Sequence, residues 1–176
     1  MILTAAALEG AWLIEAEKLA DFRGYFARTV CRDEFTSAGI PADFVQESVS
    51  FNHQRGTLRG MDFQAAPAAE GKLVRCTRGA VFDVMIDLRP DSPSYLRWQG
   101  FELTADNARA VFIPPGLAHG FQTLADASEI LYHMTERYSP AHARGVRWDD
   151  PVFAITWPVG DPILSERDAT YPDYRP

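Results

Sequence analysis

Apolar and polar residues alternate along this chain in short bursts, and glycine or proline separates the bursts. "AWLIEAEKLAD" starts apolar, and "GYFARTVCR" and "FVQESVSFNH" alternate. "TLRGMDFQ", "KLVRCTRG" and the longer "AVFDVMIDLR" follow, with the loop "AAPAAEG" after the first and the turn "PDSPS" after the last. "YLRWQGFEL" and "ARAVFIPP" are joined by "TADN", and residues 120–140 read as two strands around "ADAS". Evenly spaced short strands of this kind predict an all-β sandwich or barrel. A helical domain needs a sustained 3.6-residue period, and none is found. One short helix is expected at "DEFTSAGI", whose first turn is acidic. From "GVRWDDPVFAITWPVGDP" onward the chain is rich in proline and tryptophan. It is expected to be irregular yet packed on the barrel, because it carries Phe153, Ile155 and Trp157.

With 176 residues, no repeat and no linker, residues 1–176 are read as a single domain. The formal net charge of −7 argues against a broad basic face for nucleic acid. It still allows a local group of arginines that takes an anionic small molecule. Cys31 and Cys76 are too few for a disulfide framework and read as small, partly buried strand residues. The first residues have no basic stretch and carry acids where a signal peptide is apolar. No apolar run has the length of a membrane span, so a cytoplasmic protein with no membrane partner is expected.

Several positions are unusual for a plain barrel. Arg23 and Arg59 each precede a glycine on a strand, where a bulge can aim a guanidinium at a phosphate. Taken singly, each fits a solvated arginine beside a turn better. "IPPGLAHGF" is a stiff turn that delivers His119 to a strand start, which is a moderate site signal. Lys72 falls on the same face as Val74 and Cys76. It is either a counter-charge for an oxyanion or a strand-end lysine reaching water, with little to choose between them. Tyr132 alternates with Ile130 and Met134. By itself it reads as a core tyrosine, and the alternative is a general acid. His53, His119, His133 and His142 form no His-x-His pair and have no carboxylate at ligand spacing, so no metal is expected. Asp62 stands between Met61 and Phe63 in an otherwise apolar strand, which raises the question of what a carboxylate does there.

Together, "DFRGYFAR", "GTLRGMDFQ", "KLVRCTRGAVFDVMIDLR", "FIPPGLAHGFQTL", "RGVRWDDP" and "LSERD" resemble, in this order, the dTDP-4-dehydrorhamnose 3,5-epimerase family. The resemblance runs from about residue 12 to the end. It implies a cupin-type jelly-roll barrel (a double-stranded β-helix) with short peripheral helices and an irregular C-terminal segment. It also implies a homodimer with strand exchange, no metal or other cofactor, and a nucleotide-diphosphate 4-keto-6-deoxy sugar as substrate. In the family a histidine base removes a proton beside the keto group, an aspartate orients it, a tyrosine returns a proton to the other face, and a lysine holds the enolate oxygen. Carried over, Tyr132 is the acid, Lys72 the cation and Asp168 the orienting carboxylate. Arg23, Arg59 and His119 take the diphosphate, with Phe26, Gln46 and Ser48 completing the substrate contacts. One of the arginines is expected from across the dimer interface.

Two positions depart from the family. Ser48 stands where asparagine is usual, and Asp62 occupies the place of the histidine base. A model aspartate has a pKa near ~3.9 against ~6.5 for histidine, so a solvated carboxylate is a weaker base at neutral pH. Burial or a nearby carboxylate raises such a group, and two carboxylates repel unless they share a proton. Strict alternation puts Arg59 and Asp62 on opposite faces; a bulge at Gly60 lets both face a ligand. The favoured reading is an epimerase acting at C3, C5 or both. The alternatives are a non-catalytic nucleotide-sugar binder and a 3,4-keto-isomerase on the same barrel.

Overall fold

Alternation along the strands sorts the side chains into one set between two antiparallel sheets and another on their outer faces. The computed structural model describes residues 1–175. In chain order its elements begin with β1 (Ile2–Ala5), β2 (Trp12–Glu15), β3 (Leu19–Asp21), β4 (Gly24–Phe26), α1 (Arg32–Ser37) and β5 (Gln46–Asn52). β6 (Leu58–Gln64), β7 (Lys72–Arg78), β8 (Ala80–Asp87), β9 (Trp98–Thr104) and β10 (Arg109–Ile113) follow. β11 (Leu117–Thr123), β12 (Ser128–Met134), β13 (Ala143–Gly145) and α2 (Glu166–Ala169) complete the chain. One sheet has the order β1-β2-β10-β7-β12-β5 and the other β13-β6-β11-β8-β9.

Three apolar groups hold these layers together. Between the sheets lie Val74 and Cys76 of β7, Val81 and Met85 of β8, Leu117 and Phe121 of β11, and Ile130 of β12. On the outside of the first sheet, Leu73, Ala110 and Phe112 pack against Phe35 and Ile40 of the helical segment. Asp33 and Glu34 occupy the first turn of α1, as its sequence predicts. Fully burying a side chain such as Phe35 contributes about 1.5–3 kcal/mol. On the outside of the second sheet, Met61, Val84, Ile86 and Ala118 are covered by the C-terminal segment through Phe153, Ile155 and Trp157. That segment is irregular and packed, as its composition predicts.

The "GYFARTVCR" stretch departs from expectation. Only Gly24–Phe26 is a strand, paired with β3 in a two-stranded ribbon. Among the described residues no third strand lies beside it, and Leu19, Phe22, Tyr25 and Phe26 are exposed. Sequence alternation alone does not make a strand where no neighbour supplies hydrogen bonds. β9 likewise starts at Trp98, because the backbone at Leu96 is left-handed, with φ 64°.

Candidate active site

The inward face of the barrel carries polar residues at one end. On β8, Asp83 lies two residues from Val81 and two from Met85, so it shares their inward face. His119 does the same between Leu117 and Phe121 on β11, as do Lys72 on β7 and Tyr132 on β12. On β6, Met61 faces outward and Asp62 therefore faces inward.

Arg59 reaches the same side because β6 is bulged. Asp62 pairs with His119 and Arg59 with Phe121, so two residues of β6 oppose the single Gly120. The bulge needs glycine on both strands. Gly60 has φ +99°, and a Cβ there would collide with the His119 carbonyl oxygen and lie 2.7 Å from the Gly120 Cα. A Cβ on Gly120 would lie 2.6 Å from both the Arg59 carbonyl oxygen and the Met61 sulfur. The close backbone approach explains "RG" in β6 and "HG" in β11.

These side chains surround a cavity of about 580 Å³, lined by Ser48, Arg59, Asp62, Lys72, His119 and Tyr132 together with Ser165, Arg167 and Asp168 of the C-terminal segment. Seven of the ten candidate residues, six from the strands and Asp168 from α2, thus converge on one space. Arg23, Phe26 and Gln46 do not line it within a single chain. Arg23 is on the exposed ribbon, where its guanidinium binds Asp21 at 2.6 Å. Phe26 is exposed on the same ribbon, and the Gln46 side chain accepts the Tyr138 amide at 2.6 Å.

Within the cavity, charges are paired. Lys72 Nζ lies 3.0 Å from Glu70 Oε1, and both side chains are largely buried. Lys72 opens β7, yet its side chain lines the cavity and is paired with a carboxylate rather than solvated. Arg59 Nε donates to Asn52 Oδ1 at 2.7 Å, which fixes the plane of the guanidinium. His119 Nε2 and Asp83 Oδ2 are 2.8 Å apart, with Asp83 fully buried. The Tyr132 phenol is held above the ordinary tyrosine range, first by burial and then by the Asp83 charge, while Arg59 works against both.

Arg167 stands between Asp62 and Asp168. Arg167 Nη2 donates to Asp62 Oδ2 at 2.9 Å, and Arg167 Nε donates to Asp168 Oδ1 at 3.1 Å. The Asp62 charge is the main influence that raises the Arg167 guanidinium above its usual range. The second Asp62 oxygen accepts the Tyr171 hydroxyl at 2.7 Å. Asp168 also accepts the Gly60 amide at 3.3 Å, and Ser165 caps the short α2 that carries it.

Sequence reasoning missed Glu70, Asp83, Arg167 and Tyr171. Asp83 carries a readable signal, a carboxylate inside the apolar run "AVFDVMID", which needs a buried partner. Arg167 lies inside "LSERD" beside Asp168. Glu70 and Tyr171 have no local signal, since their partners are set by the fold. Among the described residues, no group of three or more His, Cys, Asp or Glu side chains is placed to hold a metal ion. No helix among them is long and apolar enough to cross a membrane.

A double-sheet barrel with a tyrosine, a paired lysine, arginines and a carboxylate cluster at one mouth defines a cupin-type jelly roll equipped for proton transfer on an anionic substrate. The family model for dTDP-4-dehydrorhamnose 3,5-epimerase matches residues 5–175. The chain belongs to that family and is an isomerase of the carbohydrate-epimerase class. It is 44% identical over 161 residues to the dTDP-4-dehydrorhamnose 3,5-epimerase of Sinorhizobium fredii, covering 91% of this chain and 83% of the relative. The crystal structure of the Bacillus anthracis dTDP-4-dehydrorhamnose 3,5-epimerase, with TDP and pyrophosphate bound, superposes with a TM-score of 0.95 at 39% identity. That match covers 98% of this chain and 99% of the other. NovW, a 4-keto-6-deoxy sugar epimerase from the novobiocin gene cluster of Streptomyces spheroides, gives a TM-score of 0.93 at 41% identity, covering 97% and 86%.

Proposed function

We propose that the protein epimerises a dTDP-linked 4-keto-6-deoxy sugar beside its keto group, at C3, C5 or both. The observation that carries this reading is the single cavity in which Tyr132, Lys72, Arg59 and the Asp62–Asp168 carboxylates converge. The keto group acidifies the neighbouring C–H bonds. Removal of one proton leaves an enolate, whose oxygen takes the charge of Lys72. The Tyr132 phenol, kept protonated by its surroundings, returns a proton to the opposite face. Asp62 occupies the place of the family's base, with Asp168 behind it. Arg59 and Ser48 hold the diphosphate and sugar on the cavity wall. The nucleotide is taken as dTDP because the Bacillus anthracis relative binds TDP.

We infer further that the working unit is a homodimer in which the β3–β4 ribbon crosses to a second copy, bringing Arg23 and Phe26 to that copy's cavity. The exposed Leu19, Phe22 and Phe26 of the ribbon support this. Gln46 joins the substrate contacts at the rim. No cofactor enters the proposed chemistry, and a cytoplasmic location follows from the nucleotide-sugar substrate.

The test is incubation with dTDP-4-keto-6-deoxyglucose in D2O, with C3 and C5 followed by proton NMR. Loss of a proton signal at either carbon supports the reading. A protein that is thermally protected by the nucleotide sugar but exchanges nothing, from mildly acidic to basic pH, is a binder instead.

A further inference from the structure

Both oxygens of Asp62 already accept strong donors, Tyr171 at 2.7 Å and Arg167 at 2.9 Å. Each oxygen thus has one of its acceptor positions taken, and both donors come from the C-terminal segment. The carboxylate that took the family's base position is therefore built into a latch with the C-terminal segment. One strand away stands an imidazole with a different setting. His119 is the direct cross-strand partner of Asp62 in the β6–β11 pair, so their Cα atoms are about 5 Å apart and both face the cavity. Its Nε2 is bound to the fully buried Asp83, which leaves Nδ1 to exchange a proton. Its ring lies edge-on to Tyr132, with centroids 6.2 Å apart.

We propose that His119, positioned by Asp83, is the general base of this chain. This rests on the epimerase reading above and deepens it. His119 Nδ1 takes the hydrogen on the carbon next to the keto group and becomes imidazolium. The C–H electron pair moves into an enolate held by Lys72. Tyr132 gives its proton to the other face of that carbon, and the C–H bond forms there. The imidazolium and the phenolate return to their starting states by proton exchange with solvent. Asp83 acts as a positioning residue: it fixes the tautomer and balances the imidazolium charge. A buried carboxylate beside His119 also disfavours a bound diphosphate at that ring. The residue that the resemblance assigns to phosphate binding thus serves proton transfer here.

The test compares variants in the same D2O exchange assay with dTDP-4-keto-6-deoxyglucose, each checked for dTDP binding and thermal unfolding. His119→Asn is expected to slow exchange at least 100-fold with dTDP affinity retained, as for loss of a general base. Asp62→Asn is expected to slow it less than tenfold. Asp83→Asn should lower kcat by a similar factor to His119→Asn while leaving KM within about threefold, a split that a merely structural loss does not give. Imidazole added to His119→Ala should restore part of the exchange. Should His119→Asn fail to fold, His119→Gln gives the same comparison. A wild type that exchanges while His119→Asn keeps its rate and Asp62→Asn loses it overturns this inference alone. A silent wild type overturns the substrate reading and this inference with it.

Discussion

Arg167 binds Asp62 at 2.9 Å and Asp168 at 3.1 Å, so one guanidinium compensates two carboxylates of the site. Arg167 is 60% exposed, and the pairs are therefore modest in energy. Arg167→Met is expected to lower unfolding stability by about 1 kcal/mol in urea titration. Its larger effect should be on the ligand, because two uncompensated negative charges then meet a diphosphate. Calorimetric dTDP binding is expected to weaken roughly tenfold, and more so at low salt. Unchanged affinity would mean that the carboxylates do not face the diphosphate.

Lys72 and Glu70 are a largely buried pair, 15% and 9% exposed at the side chain. Removing the cation leaves Glu70, among the described residues, with the Gln64 amide at 3.2 Å. Lys72→Met should therefore lose stability by about 3 kcal/mol, as when one partner of a buried ion pair is removed. It should also slow turnover about 100-fold, since the enolate oxygen loses its counter-charge. Lys72→Met with Glu70→Gln removes the buried charge as well. It should recover much of the stability and none of the rate, which separates the two roles by urea melts and steady-state kinetics.

The barrel was legible because glycine and proline punctuate evenly spaced short strands, and local alternation put Lys72 on the face of Val74 and Cys76 and Tyr132 on that of Ile130. The bulge was legible too, because glycine at position 60 is the only residue that lets Arg59 and Asp62 share a side. What could not be read is partner choice across the fold. Arg167 and Tyr171 meet Asp62 over sequence separations of 105 and 109 residues, and only the packed C-terminal segment decides that. The ribbon misled for the opposite reason: "GYFARTVCR" alternates, yet strand length is set by the neighbour it pairs with. Arg23, Phe26 and Gln46 remain assignments by resemblance that a single chain does not bring to the cavity.

Asp87 gives the fold an acid-sensitive point away from the site. Burial opposes its charge, but hydrogen bonds from Arg89, Ser92 and Ser94 outweigh that and hold its carboxyl well below the usual carboxylate range. The unfolded chain thus takes up this proton at higher pH than the folded one. The stabilisation is fully present above about pH 4, the unfolded value, and is lost as pH falls toward the folded value. Asp87→Asn is expected to lower stability at pH 7 by roughly 3 kcal/mol. Urea midpoints measured below pH 4 should then fall less steeply with acid than those of the wild type. Parallel curves for the two proteins would show that another carboxylate governs acid unfolding.

Tyr132 should separate proton removal from proton return. Its phenol is raised above the ordinary tyrosine range, so it stays protonated through the pH at which a free tyrosine ionises, about 10. Between neutral pH and about 10 its own ionisation should therefore not limit the rate. In Tyr132→Phe the base, the lysine and the arginine remain, and only the donor on the opposite face is gone. Deuterium exchange from D2O is expected to continue within about tenfold of wild type, because a proton removed by the base can return from the same side. Formation of the inverted sugar should fall by 100-fold or more. Proton NMR reads both quantities in one sample, exchange from loss of the C3 or C5 signal and inversion from the coupling pattern of the product. If exchange and inversion fall together, Tyr132 acts on the first proton transfer and its assignment as the returning acid is wrong.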